Sequence, residues 1–180
     1  MAIESGYFGP RRSWSERAIA AARLDVSAFE EVEADTTATG QAAGVVALSA
    51  IAQAIGAVNH GTAGVIGSLV WALCAWLVWS VITYFVGVTL FKGTATVGEL
   101  LRTLGFAQAP GVLYVVGFIP VIGAVAAFLI AIWILVAGII AIRQALDIST
   151  SKAVITAIVG WLVLIIPLAV FGAAGWMTFR

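Results

Sequence analysis

The sequence predicts an all-α fold: a polytopic membrane helical bundle with five transmembrane spans and a cytoplasmic amphipathic N-terminal segment. Three observations carry that prediction. Of 180 residues, 62% are hydrophobic and 10% are charged. A soluble domain is nearer half apolar and a quarter charged, and a small domain keeps too much of itself at its surface to hide the surplus. Lipid solvates such a surface. Beyond Gly40 the apolar residues form five blocks, and the charged residues between them fall on alternate connections.

The first element is the polar stretch of residues 1–40, which holds seven of the nine acids and four of the nine bases. Within it, Ile19, Ala22, Val26 and Phe29 recur at helical spacing, which predicts one amphipathic helix from Trp14 to Ala34. Such a helix lies in the headgroup region; the alternative is a solvated, partly disordered tail. The opening run MAIESGYFGPRRSWSER lacks the apolar core of a cleavable signal peptide, so targeting falls to the internal spans.

Residues 41–180 form the predicted membrane domain. Block one, Gln41 to Val58, is rich in Ala and Gly and barely long enough to cross. Ala43, Ala47, Ala50 and Ala54 give it a small face for close helix packing. Block two, Val65 to Phe91, is ample for the roughly 20 residues that a hydrocarbon core of about 30 Å requires. Ala109 to Ile142 is one apolar run of 34 residues, about 50 Å if a single helix. That is too long for one crossing, so the run predicts a hairpin turning at Pro120 and Gly123. Its first arm is short, and a re-entrant half-helix is the alternative there. Block five runs from Ala153 to Gly172, with Pro167 near its end.

Loop charges set the expected topology. Lys92, Glu99 and Arg102 lie between blocks two and three; Arg143, Asp147 and Lys152 lie between four and five. The connections AVNHGTA and FIPVIG carry no Asp, Glu, Lys or Arg. Five spans put every acid and eight of the nine bases on one side, with Arg180 opposite. The positive-inside rule makes that side cytoplasmic. The N-terminus is then inside and the C-terminus outside.

Between blocks two and three sits a segment with its own start and stop signals. Thr96 and Glu99 form a T-x-x-E capping box, Gly105 suits the left-handed residue that ends a helix, and Pro110 restarts the chain. Leu100, Leu101 and Leu104 share a face away from Glu99 and Arg102, two charges close enough to pair. The segment reads as a structural elbow or as a contact for a partner or headgroup. If the two charged loops are adjacent, Glu99, Arg102, Arg143, Asp147 and Lys152 join in one interfacial cluster; the bland alternative is bases anchoring helix ends among lipid phosphates.

The run TVGELLRTLGFAQAPGVLYVVGFIPVIG, and the later IWILVAGIIAIRQALDISTSKAVITAIVGWLVLII, resemble the central signature of the Yip-domain family, the Ypt/Rab-interacting membrane proteins. The similarity covers Asp25 to Phe171 and is strongest from Thr94 to Ile158. It implies a five-span bundle with a cytoplasmic N-terminus. Eukaryotic members are associated with Rab GTPases, vesicle trafficking and membrane shaping. The tail here lacks their acidic Leu-Gly-Pro pattern, so the resemblance is to the prokaryotic branch, with residence in the plasma (inner) membrane, and implies a fold more than a partner.

Ionisable residues at depth are the usual mark of transport, and the predicted spans carry none. Gln53, Ser80, Thr83, Tyr84, Gln108 and Tyr114 remain, with Asn59 and His60 at the uncharged loop; Gln53 suits an interhelical hydrogen bond. Trp76 and Trp79 read as helix contacts. A single cysteine, Cys74, excludes an intramolecular disulfide and a Cys-based zinc site, and zero net charge gives no basis for nucleic-acid binding. No catalytic, cofactor or metal constellation assembles. The expected function is a non-enzymatic membrane scaffold or organiser acting through its cytoplasmic loops and tail, its partners the lipid bilayer and a protein or second copy. The alternative is a small transporter or channel, or an accessory subunit of one, using the broken third span.

Overall fold

Among the described residues, two α-helices cover Trp14 to Ala34, where the periodicity predicts one. The structure, a computed structural model, describes residues 12–56, 65–119 and 121–163, without the side chains of residues 65–68 and 71. Asn59, His60, Pro120, Pro167 and Arg180 lie outside the described residues.

Helix α1 (Trp14–Ala22) starts at Ser13, whose side chain accepts from the Glu16 N–H while Glu16 reaches back to the Ser13 N–H. It ends where Leu24 turns left-handed at φ 63°. The Leu24 N–H then donates to the Ala21 carbonyl, and the Asp25 N–H to that of Ala20, the paired closure of a Schellman motif. Asp25 in turn caps α2 (Val26–Ala34) by accepting from the Ser27 N–H. The apolar spacing runs across this break, and that continuity hid it. Ala28, Phe29 and Val32 of α2 are fully buried against α5 and α6.

A short 3-10 helix, η1 (Thr36–Ala38), leads into α3 (Thr39–Gly56). Then come α4 (Val65–Phe91), α5 (Val97–Phe106), a second 3-10 helix η2 (Ala109–Phe118), and α6 (Ile122–Leu146). Helix α7 covers Thr150–Val163. No strand occurs among the described residues. Among the described residues, three helices are long and apolar enough to cross a membrane, over Thr36–Gly56, Ala72–Phe91 and Ile122–Leu146; η2 and α7 are apolar but shorter.

Glycines fix the helix directions. A Cβ added at Gly105 would lie 2.7 Å from Ala42, at Gly111 1.9 Å from Ser49, and at Gly56 2.0 Å from the Tyr114 carbonyl. Residue numbers rise together along both partners, so α3 and the α5–η2 run are parallel and nearly in backbone contact. The buried face of α3 is Ala42, Val45, Val46, Ser49, Ala50, Ala52 and Gly56; of the predicted Ala43–Ala47–Ala50–Ala54 stripe, Ala50 lies on it and the other three are half-buried. Gln53 is exposed. Gly123, where a Cβ would meet the Gly117 carbonyl at 2.3 Å, closes the hairpin between η2 and α6. Val121 within that turn has φ 66° and is 82% exposed.

Helices α4 and α6 also run parallel. Gly138 faces Trp79, and the Leu146 side chain packs where a Cβ on Gly87 or Gly93 would sit. Their ends are tied: the Thr94 N–H donates to the Leu146 carbonyl, and Thr94 Oγ1 to Asp147 Oδ2 at 2.8 Å. Asp147 ends α6 in the left-handed region at φ 52°, with the Asp147 N–H on Gln144 and the Ile148 N–H on Arg143. Helix α7 returns alongside α4, with Gly160 against Trp79 and Thr83.

Candidate functional site

All the ion pairs among the described residues, and the loop charges, gather where α3 and α7 begin and α4 and α6 end. Helix α5 supplies the centre of this polar end. Its start follows the predicted capping box: Thr96 Oγ1 accepts from the Glu99 N–H at 3.2 Å, and the Thr96 N–H donates to Glu99 Oε2 at 2.7 Å. Pro110 occupies the first turn of η2, as a residue without an N–H can. Gly105 departs from expectation. It lies inside α5, has no left-handed φ, and is the point where α3 comes closest; bulk, not backbone conformation, selects glycine there.

Arg102 does not pair with Glu99. It is 5% exposed, and its Nε donates to the Val32 carbonyl at 2.9 Å and to the Glu33 carbonyl at 3.2 Å, with Nη2 also on Glu33. The guanidinium thus closes the C-terminal carbonyls of α2, which the helix leaves without internal partners. A cation there also opposes the negative end of the helix dipole.

The predicted five-residue cluster forms in part. Glu99, Arg102 and Asp147 all bear on the half-buried Glu33, a residue to which sequence reasoning gave no role. Burial, and then the carboxylates of Asp147, Glu99 and Glu30, push the Glu33 carboxyl up to about 7, against a smaller opposing pull from Arg102. Arg143 instead donates from Nε to Gln144 Oε1 at 2.9 Å, and Gln144 Nε2 donates to Glu30 Oε1 at 2.9 Å. Lys152 is exposed at the start of α7 and takes no part in an ion pair among the described residues.

A second centre holds α1. Arg17, 3% exposed, pairs through Nε with Glu31 at 3.0 Å and through Nη1 with Asp35 at 2.9 Å, and reaches Gln41 Oε1 at 3.1 Å. Asp35 is held down to about 2, first by the Thr37 hydroxyl and also by Arg17. One side chain therefore joins α1, α2, η1 and α3. Trp133 of α6 adds a tie, donating to the Ala22 carbonyl at 2.7 Å.

Within the bundle, Trp76 is buried and donates to the Leu101 carbonyl at 3.0 Å, and Ser80 bonds the Trp76 carbonyl at 2.8 Å. Trp79 Nε1 and Thr83 Oγ1 are buried without a hydrogen-bond partner. No group of His, Cys, Asp and Glu among the described residues is arranged to hold a metal ion.

The decisive comparison is with family models: the Yip1 domain model matches residues 26–171. The chain belongs to the Yip1 domain family. The match opens on Val26, the first residue of α2, so the helix that Arg102 secures lies inside the Yip1 domain. No curated protein and no solved structure matches the chain. It is a membrane protein of that family, with apolar helices in a helical bundle.

Proposed function

We propose that this Yip1-family protein is a non-enzymatic scaffold of a prokaryotic plasma membrane, acting through a cytoplasmic face built from α1, α2, α5 and the two charged loops. In this reading α3, α4, η2, α6 and α7 are five successive crossings, with the N-terminus inside and the C-terminus outside. The observation that carries it is the seating of α2: a buried arginine fixes an N-terminal helix on the bundle, making a shaped polar platform of the segment. Such a platform suits a protein partner or a second copy of the chain, beside lipid. Crosslinking in the native membrane, followed by purification in mild detergent, tests it. A specific partner or a defined oligomer supports the reading; a lone monomer with neither sinks it. The crossing order has its own test, thiol labelling of cysteines placed at positions 60 and 99 in a Cys74→Ala background. Labelling of the two from opposite sides is expected, and labelling from one side refutes the order.

A small transporter or channel subunit is the second reading. It draws on the 3-10 winding of η2 and on Trp79 Nε1 and Thr83 Oγ1, unpartnered donors facing Gly160 inside the bundle. Solute flux in liposomes that is unchanged by Thr83→Val removes it.

A further inference from the structure

Helix α1 is held against the bundle by polar ties at both ends. At its start, the Trp14 ring lies against Gly44 of α3 and its Nε1 donates to the Gln41 carbonyl at 3.1 Å. At its finish, Trp133 of α6 donates to the Ala22 carbonyl at 2.7 Å. Arg17, between them, is anchored through Glu31, Asp35 and Gln41. The apolar side of α1 nevertheless does not close on its neighbours. Between α1, α3 and η2 runs an open groove of about 230 Å³. Val45 and Ala109, both buried, form its floor; Ile19, Leu48 and Val112, all exposed, form its rims. Ala18 and Ala22 line it from α1, and their short side chains leave the space unfilled.

Three properties of the groove decide what occupies it. Its wall is wholly apolar, and a water is held in a cavity only by polar partners; a dry apolar cavity of about 150 Å³ takes up benzene instead. Its level is that of hydrocarbon. Leu48 lies halfway along α3 and Trp133 halfway along α6, two helices long and apolar enough to cross a membrane. Its direction is that of α3, because α1 sets out beside Gln41 and passes Leu48 on the way to Ala22. Exposed Ile51 and Ile55 of α3 and Leu113 of η2 carry the same apolar surface onward, so the groove is continuous with the flank that lipid covers.

We propose that this groove is a resident site for one acyl chain of a membrane glycerophospholipid, clamped between α1 and the α3–η2 pair. The chain enters from the surrounding leaflet, lies along α3 and completes the packing of α1. The inference concerns lipid alone and does not depend on the scaffold reading.

The test places the protein in nanodiscs of phosphatidylethanolamine and phosphatidylglycerol, doped with a phosphatidylethanolamine that carries a diazirine midway along one acyl chain. After incubation with an excess of undoped vesicles, photolysis and peptide mapping read which lipid has stayed. Label at Ile19 and Leu48 is expected to persist severalfold above label at Phe85, an exposed residue of α4 that serves as the reference for freely exchanging lipid. Leu48→Trp fills the groove and is expected to abolish the retained label at Ile19 while leaving Phe85 unchanged. Ile55→Trp, on the same helix and outside the groove, keeps it. Equal washout at Ile19 and Phe85 means ordinary boundary lipid only and overturns the site. A groove unlabelled from the outset also overturns it, since a protein segment or a second copy then fills the space. So does retained label that Leu48→Trp leaves intact. Should Leu48→Trp disturb the fold, seen as a changed Phe85 label, Val112→Trp fills the groove from η2 and is read in the same way. A lone monomer in the crosslinking experiment alters none of these outcomes, so the two failures are distinguishable.

Discussion

Arg102 Nε lies 2.9 Å from the Val32 carbonyl oxygen, a bond that spans 70 residues of sequence. It joins the elbow after α4 to a helix that precedes every apolar block. Because Arg102 is buried and its partners are the last carbonyls of α2, losing it leaves acceptors unsatisfied as well as removing a cation from the helix end. Hydrogen bonds from charged donors contribute about 1.5–3 kcal/mol. Arg102→Ala is expected to raise local opening of α2 by roughly thirtyfold, read by hydrogen exchange, with Arg102→Lys in between because it keeps the charge and loses the forked geometry.

The close approach of α3 to η2 makes a paired prediction. A Cβ on Gly56 meets the Tyr114 backbone carbonyl at 2.0 Å, whereas one on Gly40 meets nothing within 4 Å. Gly40 lies in the first turn of α3 and Gly56 is its last residue, so alanine gains at most the roughly 0.5–1 kcal/mol of a mid-helix site. Gly56→Ala is expected to lose more than that, since overpacking costs about 1–3 kcal/mol. In detergent melting curves Gly40→Ala matches or exceeds the wild type and Gly56→Ala melts lower.

Asp35 gives the fold a pH dependence. Its carboxyl is held below the ordinary 3.8, at about 2. The Arg17 joint is therefore at full strength at neutral pH, and weakens as pH falls through the interval between those values. Hydrogen exchange at the α1–η1–α3 junction should rise in that acid window, while Asp35→Asn shows elevated exchange already at neutral pH and little further change.

Thr83→Val is expected to stabilise. The Thr83 hydroxyl is buried without a partner, a buried polar group left unpaired costs about 1–3 kcal/mol, and valine keeps the shape. A higher melting temperature in detergent is the predicted outcome. A lower one means that the hydroxyl has a partner in the membrane.

How far the sequence foretells these features depends on how local their causes are. The capping box of α5 was legible because Thr96 and Glu99 lie three residues apart and satisfy each other. Block two matches α4 at both ends for a similar reason: length and apolarity are written along the chain. The use of Arg102 was not legible. Its spacing to Glu99 suggests a pair, and a partner on α2 leaves no mark on neighbouring residues. The break at Leu24 escaped because no Gly or Pro announces it, although Asp25 followed by Ser27 was a capping signal that could have found it. In sequence Gly105 suggests a left-handed helix end, whereas its lack of a side chain is what matters, a distinction that only the position of Ala42 supplies.

The ten residues of η2 are too few for an ordinary α-helical crossing, and their winding partly offsets that shortage. A 3-10 helix climbs about 2.0 Å per residue against 1.5 Å in an α-helix, so η2 reaches about 20 Å where α-helical winding gives about 15 Å. The slimmer coil also lets Gly111 and Gly117 draw its backbone against α3. Pitch thus lengthens a segment that composition left short. About 20 Å still falls below a hydrocarbon core of about 30 Å, and a short apolar element makes the surrounding bilayer thin to meet it. If η2 crosses, the protein imposes a local dimple on its own membrane, set by helical pitch and not by any charged or catalytic group.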